Sequence, residues 1–287
     1  MTVIDVIQKS TEFLTRKGIE SPRLQIELIL AHVLKMPRMK LYLNFDRQIS
    51  EPELVAARQM TLERSNRKPL QHILGSAPFF GGEFQVNRNV LIPRPETELL
   101  VEESLRLLKA FPGAENHSCV MDYGTGSGCI AITLARQLKN LSVTALDKSP
   151  EALAVADSNA QRHGLTDKIT FLEAADVPVS PFSQHFHLFV SNPPYIPSSE
   201  IASLEPEVKD HDPLMALDGG ADGLEFYRKF AVQVPAILLP GGALAVEFGD
   251  GQADAIQVIF DREGWTNPLV LDDLTGRERV FSARRPC

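Results

Sequence analysis

Val120-Met121-Asp122-Tyr123-Gly124-Thr125-Gly126-Ser127-Gly128-Cys129-Ile130 decides the fold of this chain. An apolar run reads as a strand, three glycines follow at alternate positions, and the stretch to Leu138 reads as a helix. Without Cβ atoms the backbone at these glycines can turn tightly and come against a ligand. Such a loop lies at the carboxyl end of a strand, where open α/β sheets bind ligands. The spacing is G-x-G-x-G rather than G-x-G-x-x-G, because Cys129 stands where the last glycine of a dinucleotide fingerprint would fall. A dinucleotide site is weakened accordingly.

Outward from this stretch, strands and helices alternate, which predicts a mostly parallel sheet with helices on both faces. A helix is expected over 97–109, strands over 118–122, 142–146, 169–172, 187–191 and 243–247, and helices over 150–164 and 223–238. The Pro240-Gly241-Gly242 stretch reads as a turn, and 268–271 with 279–282 as a closing antiparallel pair. The first third reads as helices only: one over 2–17, one opened by Ser21-Pro22 as N-cap and first helical residue, and one opened by Ser50 and Glu53 as a capping box. Phe79 to Phe84 reads as a hairpin around Gly81-Gly82. The expected organisation is a helical bundle over 1–75, a hairpin linker over 76–95 and an α/β domain over 96–287.

Composition narrows the function classes. The 287 residues are 44% hydrophobic and 23% charged, ordinary for a globular protein with a sizeable core. No apolar run reaches the ~18 residues of a membrane span. The N-terminal stretch lacks a signal-peptide pattern, so a cytoplasmic protein is expected. Cys119, Cys129 and Cys287 form no CxxC pair, and the histidines, His185 and His187 included, lack a third ligand nearby, so no metal site is expected. Net charge is −8, unevenly spread: residues 1–95 hold 14 basic against 9 acidic side chains, and residues 96–287 hold 15 against 28. The larger segment therefore lacks the basic stripe of a duplex-binding protein. The basic first third suits either an acidic macromolecular partner or plain solvation.

Two groups carry chemistry. Asp147, 19 residues beyond Gly128 and at a strand end, is placed to accept hydrogen bonds from both hydroxyls of a ribose. Asp122 would fix the glycine loop or reach a cofactor ammonium, and Asp176 would take an adenine amino proton. Three acids at successive strand ends beside a glycine loop indicate an adenosine-containing cofactor. The second group is Ser191-Asn192-Pro193-Pro194-Tyr195. Two prolines remove two backbone donors and fix φ, so the segment leaves the sheet as a stiff array of acceptors. The Asn192 side-chain oxygen and the Pro193 carbonyl suit the two protons of a planar –NH2 group, with the Tyr195 ring beside it. Such an array works by holding the nitrogen toward an electrophile and by favouring a charge-developing transition state.

These motifs resemble the class I, Rossmann-like methyltransferases that use S-adenosylmethionine, and within them the subset with an NPPY tetrad. Leu91-Ile92-Pro93-Arg94-Pro95-Glu96-Thr97-Glu98 is similar to the IPRP-[DE]-TE signature of the release factor glutamine methyltransferases. Residues 240–252 (PGGALAVEFGDGQ) and 273–280 (DLTGRERV) also fit, so the resemblance covers essentially the whole chain. It implies a seven-stranded sheet with a small helical N-terminal domain, and methylation of the side-chain nitrogen (N5) of the glutamine in the GGQ motif of class I peptide chain release factors. It implies Asn192, Pro193 and Tyr195 as catalytic and substrate-binding positions with Pro194 as spacer. It also implies cofactor contacts at Gly124, Thr125, Gly126, Ser127, Gly128, Asp147, Asp176, Val177 and Asn192. Val177 departs from the family, which often places a large aromatic there; apolar contact survives and stacking does not.

Competing readings are a ribosomal-protein glutamine methyltransferase, a DNA adenine N6-methyltransferase, which would want a basic groove for a flipped base, and an adaptor without activity. The intact NPPY disfavours the last. Cys119 and Cys129 read as small core residues, and Glu205–Asp212 as a solvated lid by the substrate mouth. For Arg94, bracing the hairpin and touching the substrate both stand open.

Overall fold

Thr2 starts the first helix. Its hydroxyl accepts the Asp5 N–H at 3.3 Å while the Asp5 carboxylate accepts the Thr2 N–H at 2.9 Å, a reciprocal capping box. The computed structural model describes residues 1–113, 116–177 and 185–286, so Cys287 lies outside the described residues. It divides into two compact units: Met1–Ser76 with Glu205–His211, and Ala77–Leu204 with Asp212–Cys287.

The first unit is helical: α1 (Val3–Arg16), α2 (Pro22–Val33), α3 (Arg38–Leu41), α4 (Glu51–Ser65) and α5 (Leu70–Leu74). Val3, Ile7 and Leu14 give α1 one apolar stripe, which packs with Ile26, Ile29 and Leu30 of α2 and with Ala57 of α4. Ser50 opens α4 as expected, its N–H donating to Glu53 Oε2 at 2.9 Å. Ser21 does not cap α2. It adopts a left-handed conformation (φ 44°) with no side-chain bond to the helix, and the preset φ of Pro22 starts the helix alone. The 205–212 run is not a solvated lid. Glu207 Oε1 accepts from Arg64 at 2.9 Å and from Arg67 at 3.1 Å inside the helical unit. Asp212, in the second unit, is buried.

The second unit opens with a hairpin, β1 (Ser76–Phe79) and β2 (Gly82–Gln85). The turn is one residue earlier than expected: Phe80 (φ 46°) and Gly81 (φ 69°) supply the two positive-φ positions of a two-residue turn. Gly82 is instead the first residue of β2, where a Cβ would fall 2.6 Å from Arg136 Nη1 and 3.1 Å from the Phe84 ring. Then follow α6 (Thr97–Lys109), β3 (Ser118–Tyr123), α7 (Cys129–Gln137), β4 (Leu141–Asp147), α8 (Pro150–His163), β5 (Ile169–Glu173), β6 (Phe186–Ser191) and, after the single turn α9 (Pro206–Lys209), which belongs to the first unit, α10 (Glu225–Gln233). The chain ends with β7 (Leu238–Glu247), α11 (Ala253–Arg262), β8 (Thr266–Asp272) and β9 (Glu278–Arg284).

Seven strands form one sheet in the order β5-β4-β3-β6-β7-β9-β8. The first five run parallel; β9 is antiparallel to β7 and to β8. Both faces of the central strands are buried, and side chains alternate between two cores with the two-residue period of a strand. Val120, Ala243 and Ala245 belong to the core on the side of α6 and α7, while Met121, Tyr123, Leu244 and Val246 belong to the core under α10 and α11. Two boundaries differ from the sequence expectation. Pro235 cuts α10 short, turning Val234–Ala236 into a 3-10 turn. The Pro240-Gly241-Gly242 stretch is part of β7 rather than a turn between elements. Phe186 pairs with Leu238 but Leu188 with Ala243, so β7 carries three more residues than β6 there and bulges.

The hairpin segment is packed onto α8. Ala77, Val86, Val90 and Ile92 form a cluster with Ala152 and Val155. Asn159 of α8, fully buried, receives the Gln85 N–H at 2.7 Å and donates to the Gln85 carbonyl at 3.0 Å and the Ser127 carbonyl at 2.8 Å. One amide thus ties the hairpin to the glycine loop. Its removal would orphan buried backbone groups, so Asn159→Ala should lower the unfolding free energy by about 2–3 kcal/mol. Urea denaturation measures this, and a loss below about 0.5 kcal/mol would mean that solvent or a rearrangement satisfies those groups.

Candidate active site

Strand register assembles the site. Tyr123 of β3 lies opposite Ser191 of β6 and opposite Leu146 of β4, and Ser191 lies opposite Val246 of β7. The next residue on each strand is therefore Gly124, Asn192, Asp147 and Glu247, side by side at one carboxyl edge. The Ser191 hydroxyl donates to the Tyr123 carbonyl at 2.8 Å and pins the two central strands together at this edge. β3 and β6 are also where the chain reverses direction across the sheet, the position at which open α/β sheets take ligands.

Gly124, Gly126 and Gly128 all have positive φ (69°, 54° and 79°). They serve differently. A Cβ at Gly124 would meet nothing within 4 Å, so the backbone there borders open space; at Gly128 it would fall 3.0 Å from Ile132 Cδ1 and 3.2 Å from Ala156 Cβ. Gly128 thus lets α7 pack on α8. Asp122, on the strand face toward α7, is fully buried. Its Oδ2 accepts the Thr125 hydroxyl at 2.7 Å and the Ala131 N–H at 3.2 Å. Of the two roles open to it, it fills the first and holds the loop. Burial pushes its carboxyl up to about 7; the Thr125 and Ala131 bonds pull the other way, and the Asp147 charge adds to the rise.

Asp147 closes the base of the loop. Oδ2 accepts the Gly126 N–H at 2.9 Å and Oδ1 the Ser149 N–H at 3.0 Å, and each oxygen keeps further acceptor capacity. The loop borders a cavity of about 920 Å³, lined among others by Gly124, Thr125, Gly126, Ser127, Asp147, Asp176 and Asn192. Asp176 does not end a strand, since β5 stops at Glu173; it projects from the following loop, 3.9 Å from the Lys229 ammonium. Gly128 and Val177 are not among the lining residues. The Val177 side chain is packed in the core under α10, with Tyr123 and Phe230. Phe226 lines the cavity near Asp176 instead.

The tetrad divides as well. Asn192 and Pro194 line the cavity, whereas Pro193 is buried and the Tyr195 ring lies half-buried against Gly249, where an added Cβ would come 3.0 Å from Tyr195 Cδ2. Burial, with the Glu247 charge adding to it, pushes the Tyr195 hydroxyl up to about 12. The Tyr195 carbonyl accepts from Gln252 Nε2 at 3.0 Å, which fixes the exit from the tetrad.

Four contributors were not read from sequence. Asn192 Nδ2 donates to Thr97 Oγ1 at 3.2 Å, and that hydroxyl donates to Glu247 Oε2 at 2.6 Å. Glu247 is fully buried; burial pushes its carboxyl up to about 7 against the pull of Thr97 and Arg279. Its sequence signal is an acid in phase with Ala243 and Ala245, on the buried side of a strand. Asn159 is the third contributor. The fourth is Asp212, whose buried carboxylate receives Arg94 Nη2 at 2.7 Å and holds that guanidinium at the cavity wall.

Comparison with known proteins agrees with this architecture. Residues 5–75 match the PrmC N-terminal domain family, and residues 101–204 match the methyltransferase small domain family. A release factor glutamine methyltransferase of Geobacter sulfurreducens is 42% identical over 284 residues, spanning 99% of this chain and 96% of its own. This chain belongs to the release factor glutamine methyltransferase family. A second family member, from Chlorobaculum tepidum, is 43% identical over 98% of this chain and 96% of its own. Among solved structures, a methyltransferase from Pyrococcus furiosus superposes with a TM-score of 0.51 at 17% identity, covering 73% of this chain and 91% of its own. The hMettl16 catalytic domain superposes at 0.56 with 16% identity, over 82% of each. At such identities these two show the shared Rossmann-like methyltransferase fold. No helix among the described residues of this family member is long and apolar enough to cross a membrane.

The buried Asp122 has a pH consequence. Its folded carboxyl titrates near 7 rather than at the ordinary 3.8, so the folded state holds the proton more tightly and loses stability as pH rises through that interval. Asp122→Asn keeps an acceptor for Thr125 and Ala131 and removes the titration. Unfolding free energies should therefore fall less steeply between those two pH values in the variant than in the parent; equal slopes would show that Asp122 does not titrate there.

Proposed function

We propose that this enzyme transfers a methyl group from S-adenosylmethionine to the side-chain nitrogen (N5) of the glutamine in the GGQ motif of class I peptide chain release factors. The observation that carries the reading is the adjacency of Gly124, Asp147 and Asn192 at one sheet edge, lining one cavity. A cofactor-holding loop and an amide-holding acceptor are useful together only if the two ligands meet. The family's curated members, named for release factor glutamine, point to the same substrate.

The cavity suits the cofactor. Its volume is that of a site for a drug-sized ligand. The backbone at Gly124 faces space that a side chain would fill. Both Asp147 oxygens retain lone pairs for ribose hydroxyls, and Asp176 also lines the cavity, for an adenine amino group. When bound, S-adenosylmethionine supplies an electrophilic methyl carbon on a sulfonium. The protein's own task is to present a poor nucleophile, since an amide nitrogen shares its lone pair with the carbonyl. Asn192 Oδ1 accepts one amide proton at the cavity wall and holds the nitrogen edge-on, and the main-chain carbonyl of the otherwise buried Pro193 is the proposed acceptor for the second. As the nitrogen–methyl bond forms, the methyl–sulfur bond would break with its electron pair left on sulfur as a neutral thioether; the N–H bonds become more acidic, and fixed acceptors stabilise that state more than the ground state. One amide proton then leaves to solvent. The basic first third of the chain, with 14 Lys and Arg against 9 Asp and Glu over residues 1–95, contributes to binding the release factor, and the site of action is the cytoplasm. The acidic remainder disfavours a duplex substrate.

Incubation with methyl-labelled S-adenosylmethionine and a release factor, a ribosomal protein or DNA in parallel tests the assignment. One methyl per release factor is expected, on the GGQ glutamine, and none on the other two. Asn192→Ala should lower the rate by on the order of a hundredfold or more. Label on DNA, or an unlabelled release factor, would overturn the function. Asp147→Ala should raise the cofactor Kd by roughly tenfold to a hundredfold in calorimetry, for two lost bonds to a carboxylate. An unchanged Kd would move the ribose elsewhere.

A further inference from the structure

We propose that Thr97 and Glu247 are positioning residues that lock the Asn192 carboxamide with its oxygen, and not its nitrogen, turned toward the methyl acceptor. The inference rests on the reading of Asn192 as an acceptor for the substrate amide and names what makes it one. A carboxamide has two ends of nearly equal size, so packing alone does not choose between them. Hydrogen bonding does. Thr97 has one hydroxyl proton, and it is committed to Glu247 Oε2 at 2.6 Å, a charge-assisted bond. What Thr97 has left for Asn192 is a lone pair, which takes a donor: Nδ2, at 3.2 Å. The reversed amide would set oxygen against oxygen at Thr97 and N–H against N–H at the substrate. Two mismatches of that kind exclude the reversed form as long as the carboxylate keeps the hydroxyl proton pointed away.

The elements meet here because of the fold. Thr97 is the first residue of α6, buried under its amino-terminal turn, and Glu247 ends β7 on the strand face that α6 covers. The groups facing Glu247 come from every side: Asn192 and Tyr195 from the tetrad, Thr97 at the start of α6 and Glu96 just before it, Arg279 from β9, Tyr227 from α10 and Cys129 from α7; the Asn192 side-chain N–H also supports the carboxylate directly, which favours the same amide orientation. Arg279 is the cation among them, and Glu96 opposes it. The Tyr227 hydroxyl donates to the Glu247 main-chain carbonyl at 2.8 Å and not to the carboxylate. Protonation of Glu247 would make it a donor to Thr97. The threonine proton would then be released toward Asn192, and the reversed amide would become allowed. The lock therefore holds in the carboxylate form and fails in acid, and burial sets the changeover near 7.

Steady-state rates for the full-length enzyme on an intact release factor, followed from about pH 5.5 to 9, test this. The parent kcat should fall as pH drops through about 7 while the KM for the release factor stays level. Thr97→Val should lower kcat by roughly 10- to 100-fold with the cofactor Kd and release factor KM within about twofold. Thr97→Ser, which restores the hydroxyl, should recover at least about half of the parent rate. Glu247→Gln should remove the acid limb and leave a low, flat profile, whereas Asp122→Asn should retain the limb. A parent kcat that is flat across that interval would overturn the proposal, and this reading needs no substitution. So would a Thr97→Val rate within about threefold of the parent, or a loss that Thr97→Ser does not restore. If Asn192→Ala is inactive while Thr97→Val is not, the lock alone is wrong; if Asn192→Ala is active, the acceptor role beneath it is wrong.

Discussion

The pairing of β3 with β6 in one fixed register is the constraint on which the remaining structure rests. Side chains alternate along a strand, so a slip of one residue would exchange the two faces of either strand. Asp122 would leave α7 and its partners, and Tyr123 would leave the aromatic cluster with Phe189 and Phe230. Tyr123 sits 5.2 Å from the Phe230 ring centroid in an edge-on contact, and Phe189 sits 4.9 Å from it. Apolar burial on both faces makes such a slip costly on each side at once. The same register sets four strand ends level, and the chemistry is distributed among the residues that follow them.

Two buried carboxylates flank this edge, Asp122 under the glycine loop and Glu247 under the tetrad. Burying an acid costs several kcal/mol unless bonds compensate it. Here each acid has a short contact to a threonine hydroxyl: Asp122 to Thr125 within the glycine loop, and Glu247 to Thr97, which in turn accepts from Asn192 of the tetrad. The carboxylates are therefore the means by which irregular segments keep one geometry. Their displaced titration is the energetic trace of that role.

Much of this was legible in sequence because it is local. The strand–glycine loop–helix unit, the Asp147 strand end and the NPPY segment each declare themselves within a dozen residues, and α6 and α8 begin where the sequence ranges place them, at Thr97 and Pro150. What escaped is tertiary. Thr97 and Glu247 are 150 positions apart, and neither local pattern indicates the other. Gly82 has the composition of a turn residue, yet it starts β2 with the Arg136 guanidinium and the Phe84 ring close over it. Pro240-Gly241-Gly242 has the composition of a turn, yet its neighbours pair on either side and it survives as a bulge. Family position points Val177 at the cofactor, whereas its side chain turns inward, with Phe226 at the cavity wall in its neighbourhood.

Glu207 gives the helical unit a discontinuous character. Arg64, with only 7% of its side chain exposed, is neutralised by an acid that lies 143 positions later in the chain. A fragment cut after Ser76 would retain every helix from α1 to α5 and yet strand a desolvated guanidinium. During synthesis the amino-terminal helices emerge long before their counter-ion does. Their final consolidation must wait until nearly three quarters of the polypeptide has left the ribosome, so the bundle matures late despite being made first.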